Sequence, residues 1–145
     1  QIMAGIFIAL LSGTLMSIQG VFNTQVTKQT SLWVSTGWVQ LSALAVCVAA
    51  WLLTGRENIA ALGSVSPRYM LLGGVIGAFI TVTVIQGMGS LGPARATLLI
   101  VIAQLAVSYL TEVLGLFGVE KQPLEWRRLA GLLVAVGGII LFKWE

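Results

Sequence analysis

Five unbroken apolar stretches fill most of this 145-residue chain and leave little for water to contact. They cover about residues 2–22, 32–53, 69–88, 93–114 and 129–142. A bilayer core about 30 Å thick takes about 20 apolar residues per helical crossing, so a chain of this length has room for five or six crossings at most. Only 9% of the residues are charged, against roughly a quarter in soluble domains. In lipid the backbone must satisfy its own hydrogen bonds, which helices of this length do. The expected fold is an all-α integral membrane protein: a single domain over 1–145 with five transmembrane helices and no soluble domain.

The first helix is expected to stop at Phe22, before the polar run Asn23 to Ser31. Ile59 to Leu62 reads as a short interfacial turn inside the longest link, and Gly89 to Gly92 as the break before Pro93, whose missing N–H suits the first turn of the fourth helix. The fifth stretch is the shortest. It reaches a bilayer's thickness with Trp126 and Trp144 as belts in the two interfaces. Gln1 to Gly5 lacks a basic region, so the start does not read as a cleaved signal peptide.

The net charge of +3 comes from scattered basic residues, not a patch, so nucleic acid is not an expected partner. With no His and one Cys, the chain is expected to hold no His/Cys metal site, no cofactor and no internal disulfide. Cys47, in the run Leu41 to Leu53, reads as a small packed residue. Five crossings would put Arg56, Arg68, Lys121, Arg127 and Arg128 on one side and Lys28, Arg95 and Lys143 on the other. That asymmetry is slight, and it leaves both a fixed topology with the N-terminus inside and insertion in two orientations open.

Small residues recur at helical spacing: Gly5, Ala9, Gly13 and Ser17 in the first helix, Gly73 and Gly77 in the third, Gly131, Ala135, Gly137 and Gly138 in the fifth. Such faces let helices approach closely in lipid, and the last set is expected to pack a dimer. Ile18-Gln19-Gly20 is echoed by Ile85-Gln86-Gly87, and each is followed in the next helix by a Gln, Gln40 and Gln104.

The functional signal is polar. At 100° per residue, Ser12, Gln19 and Asn23 share a face of the first helix, Thr83, Gln86 and Ser90 a face of the third, and Thr97, Gln104, Ser108 and Thr111 a face of the fourth, with Glu112 at its edge. An unpartnered amide in hydrocarbon is costly, so these stripes are expected either to line a common wet cavity or to glue helices together. The cavity reading takes in Ser12, Gln19, Asn23, Gln40, Thr83, Gln86, Gln104, Ser108 and Tyr109. Glu112 is the one acid placed to lie at membrane depth, a candidate for exchanging a proton against substrate; it can equally sit in the headgroup layer or cap a loop N–H. Arg95, about 25 Å from Glu112 along the same helix, reads as snorkelling to a lipid phosphate. Trp33, Trp38, Phe79 and Tyr109 are aromatic faces available to an organic cation.

Gly92-Pro93-Ala94 leading to Gln104, then Glu112-Val113-Leu114-Gly115-Leu116-Phe117-Gly118, Gln122-Pro123-Leu124, Arg128, Gly131 and Gly137 resemble the YdcZ-type five-helix family of the drug/metabolite transporter (DMT) superfamily. Gln19-Gly20 to Asn23 is similar to that family's opening motif, and the resemblance covers nearly the whole chain. It implies a multi-pass protein of the bacterial inner membrane, half of a ten-helix DMT-like bundle completed by antiparallel dimerisation. The family typically has Asp-His where this chain has Glu112-Val113: the acid persists as Glu, the His does not. The first helix also lacks the embedded Glu of small multidrug transporters.

The expected function is a secondary transporter subunit moving a small metabolite or organic cation by alternating access, with proton coupling at Glu112 as an option. The partners are the bilayer, the substrate and a second, antiparallel copy. The alternatives are a dual-topology passive ion channel, with Asn23 and Phe79 as coordinating groups, and a non-transporting membrane scaffold. Catalysis has no support, because no His exists and no second acid accompanies Glu112 at helical spacing.

Overall fold

Residues 1–143 are described by a computed structural model, and every regular element among them is helical. The Trp144 proposed as a belt lies outside the described residues. Among the described residues, four helices are long and apolar enough to cross a membrane: Ile2–Gln29, Leu32–Leu53, Arg68–Leu91 and Pro93–Leu114. The protein is an all-helical membrane protein.

The first helix, α1 (Ile2–Gln29), runs well past its expected end. The run Asn23 to Ser31 is polar in composition, but its three threonines are satisfied inside the helix. Thr24, Thr27 and Thr30 each donate a hydroxyl proton to the carbonyl four residues earlier, at 2.7, 2.8 and 2.7 Å. A threonine bonded in this way adds no demand for outside partners. The turn comes at Thr30, and Ser31 starts α2 (Leu32–Leu53) by accepting the Val34 N–H on its hydroxyl at 3.3 Å.

Past α2, the Trp51 indole N–H donates to the Glu57 carbonyl at 2.8 Å and ties the link to the helix end. The short turn expected at Ile59 to Leu62 is a 3-10 turn, Ile59–Ser64, capped by the Asn58 side chain. The third span is wound in two ways: a 3-10 segment, Arg68–Leu72, leads into α3 (Gly73–Leu91). Its helix persists through Gly89 and Ser90, beyond the expected end at Met88. The true stop is Gly92, at φ +86, where Pro93 disfavours a helical predecessor. α4 (Pro93–Leu114) agrees with expectation and ends in a left-handed Gly115, φ +64, whose N–H returns to the Thr111 carbonyl.

A 3-10 turn, Leu116–Gly118, follows, with Phe117 at φ +55. The last helix, α5 (Trp126–Lys143), starts three residues before the expected Leu129, with both arginines in its first turn. Its apolar part, residues 129–142, is about 21 Å long, short of a bilayer core on its own.

The chain divides into two units at Ser90 and Leu91. In the first, α1 packs on α2, and the fully buried Ser35 donates to the Asn23 carbonyl at 3.2 Å. Gly20 is buried with the Met88 and Val84 side chains of α3 over it; a Cβ there would lie 2.6 Å from Met88 Cε and 3.3 Å from Val84. In the second unit α4 packs on α5.

Candidate functional site

The polar residues singled out by the sequence distribute over several recesses. Along α1, Ser12, Gln19 and Asn23 border an open, largely apolar recess of about 550 Å³ with Leu15 and Phe22. Ser12 donates to Met16 Sδ at 3.8 Å, and no hydrogen bond to the Gln19 side chain occurs among the described residues. A second recess of the same unit, about 530 Å³, joins Gln86 and Ser90 of α3 to Thr24, Thr27 and Lys28 of α1. Thr24, Thr27 and Lys28 border it because α1 continues past the expected end at Phe22.

One candidate, Gln40, is held by a contact between helices. The Gln40 amide donates to Thr81 Oγ1 at 3.1 Å, which makes it a link between α2 and α3. Thr83 is exposed and returns its hydroxyl proton to Phe79, at 2.8 Å, so Thr81, and not Thr83, is the α3 threonine used between helices. Thr81 keeps a second bond to the Gly77 carbonyl at 3.0 Å. Gln40→Leu is therefore expected to cost about 1 kcal/mol or less, read as a small drop in melting temperature, because no buried group is orphaned.

In the second unit, Ser108, Tyr109 and Glu112 come together on α4, facing Arg128 and Gly131 of α5. Glu112 Oε2 lies 3.7 Å from Arg128 Nη1, and Glu125 Oε2 lies 3.5 Å from Arg128 Nε. Both members of the first pair are about half exposed, and such pairs hold little stability. The Tyr109 hydroxyl accepts a hydrogen bond from the Glu125 N–H at 3.1 Å and donates one to the Glu125 carbonyl at 3.3 Å. The residue proposed as a cation-facing aromatic thus clasps the α4–α5 link. Below it, the Gln122 N–H donates to the Glu112 carbonyl at 2.8 Å.

Sequence reasoning missed Arg128 as the partner of Glu112, and Glu125 as the second carboxylate on Arg128. The available signal was the opposite charges at the two ends of the link 115–125. Gln104 is exposed on α4, as are Gly131, Gly137 and Gly138 on α5, while Ala135 is half-buried. Trp33, Trp38 and Phe79 are all more than 60% exposed.

No curated protein and no solved structure matches the chain. Residues 4–141 match the family described as "Putative inner membrane exporter, YdcZ", and on that match over nearly the whole length the chain belongs to the YdcZ family of multi-pass inner-membrane transporters.

Proposed function

We propose that the protein is one subunit of a secondary transporter that moves a small metabolite or organic cation by alternating access. The observation that carries this reading is the match to an inner-membrane exporter family along residues 4–141. In support, Gln19, Asn23, Gln86 and Gln104 stand on membrane-length helices with exposed or half-buried side chains. These residues and Tyr109 would contact substrate, and Glu112 would couple transport to protons.

The working unit in this proposal is an antiparallel homodimer. α5 supplies the fifth crossing: its 18 residues span about 27 Å, nearly a bilayer core, with the arginine stems snorkelling at one end. Gly5 and Gly13 of α1 and Gly131, Gly137 and Gly138 of α5 have open space where a Cβ would be, as helix faces awaiting a close neighbour do. Two oppositely inserted copies would pack their fifth helices together and rock between inward-open and outward-open states.

A thermal-shift screen of the purified protein against metabolites and quaternary amines selects a ligand, since binding to the folded state raises its melting temperature. Proteoliposome uptake of that ligand under an imposed pH gradient is then expected to saturate. Glu112→Gln is expected to reduce the gradient-dependent part to the level of empty vesicles; unchanged uptake with unchanged pH dependence removes Glu112 from the coupling role. Unitary currents without saturable exchange would replace the transporter by a pore.

A further inference from the structure

Glu112 and Arg128 border two recesses at once, both inside the second unit. One, about 340 Å³, lies between α4 and α5 and is lined mainly by apolar groups, Leu105, Tyr109 and Leu132 among them. Gly131 leaves it open, because nothing comes within 4 Å of the place a Cβ would take. The other, about 310 Å³, is polar and is bordered by Glu120 and Gln122.

The ion pair between the recesses is loose. Its 3.7 Å separation exceeds the roughly 2.7–2.9 Å of a tight charge-assisted hydrogen bond. It does little for stability at its exposure. What it does provide is one negative and one positive charge, side by side, at the rim of an apolar hollow. An α-amino acid with an apolar side chain carries the complementary layout: an ammonium, a carboxylate and a hydrocarbon body on one carbon.

We propose that this is a binding site for an amphipathic zwitterion of the amino-acid class. The ligand's ammonium sits on Glu112, its carboxylate on Arg128, and its side chain enters the recess beside Leu105 and Leu132. Glu125 engages Arg128 through Nε at 3.5 Å, so it steadies the guanidinium while the terminal nitrogens turn to the ligand carboxylate. A ligand with only one charge would engage one of the two groups and forgo the ion pair to the other; Glu125 already stands beside Arg128. This names a substrate class for the transporter proposed above and rests on that reading for its purpose, while binding is measurable without transport.

The test uses the purified full chain in detergent with L-leucine, its decarboxylated analogue 3-methylbutylamine and its deaminated analogue 4-methylpentanoate. Saturating leucine is expected to raise the melting temperature by about 5 °C, and each analogue to raise it far less. Glu112→Gln and Arg128→Gln are each expected to lose the leucine shift, and Cys47→Ser to keep it. If either Gln variant fails to fold, Arg128→Lys keeps the charge without the planar fork and is expected to retain only part of the shift. An equal shift with 3-methylbutylamine overturns the zwitterion in favour of a simple cation site. No leucine shift, or a full shift in both Gln variants, overturns the site outright. Efflux of labelled leucine from proteoliposomes separates the two readings: binding without efflux leaves this site standing and counts against transport, whereas efflux of another solute without leucine binding counts against this site alone.

Discussion

Gly20→Leu is expected to lower the melting temperature by roughly 6–10 °C, about 3 kcal/mol at the upper end of what overpacking costs. Even a bare Cβ at this position would come within 2.6 Å of Met88 Cε, 2.8 Å of Met88 Sδ and 3.3 Å of a Val84 methyl. The two methionine atoms are the free end of a flexible chain and can swing aside, so Gly20→Ala is expected to cost far less. Val84 is β-branched and stiff at χ1, and it has no such escape from a larger side chain. Met88→Ala in the Gly20→Leu background should recover part of the loss. Thermal unfolding of the purified variants measures all three, and a Gly20→Leu protein that melts like the parent would refute the close approach of α1 to α3.

At Gly115 a valine is expected to be damaging for two independent reasons. The backbone sits at φ +64, a left-handed conformation that is poor for any L-residue and worse for a β-branched one. A Cβ would also meet Lys121 Cβ at 3.0 Å and the Lys121 Cα at 3.4 Å. Together these should cost about 3 kcal/mol, with a loss in melting temperature comparable to that of Gly20→Leu. Gly115→Asn tolerates the backbone and retains only the crowding, so its loss should be about 1 kcal/mol. The same substitutions should disturb function, because Gly115 sets where the link returns across Glu112 through the 2.8 Å Gln122 bond.

Much of the helical order was legible because hydrocarbon leaves few choices. α2 and α4 begin and end where the apolar runs do, and Gly92-Pro93 marks a break that backbone sterics require. The misreadings share one cause. Asn23 to Ser31 reads as an exit from the helix, since side-chain polarity is visible in a string of letters and the bonding of its threonines is not. Thr24, Thr27 and Thr30 each spend their donor on their own helix, so α1 had no reason to stop. The early start of α5 is similar: Arg127 and Arg128 looked like link residues, yet Arg128 is placed between Glu112 and Glu125.

At the candidate site, Glu112 stood out as a rare acid at the end of a long apolar helix. Its neighbour Arg128 is sixteen positions away, and their meeting depends on the left-handed Gly115, the Phe117 turn and the Tyr109 clasp acting together. Helical periodicity says nothing about a distance set by an irregular link. On α1, a one-residue step of about 100° separates Asn23, in one recess, from Thr24, in another. A wheel drawn on residue type alone cannot choose between them.

The threonine-bonded end of α1 also bears on how the protein meets membranes of different thickness. With 28 residues the helix is about 42 Å long, some 12 Å more than an average hydrocarbon slab. An end that needed water for its hydroxyl groups would be anchored at one level. Here those hydroxyl protons are already bonded within the helix, so the level of the last two turns is set by the long side chains of Gln25, Lys28 and Gln29, which reach for the headgroups. Hydrophobic mismatch is then met by tilt of the 28-residue helix together with its packed neighbours, and by the reach of those three side chains.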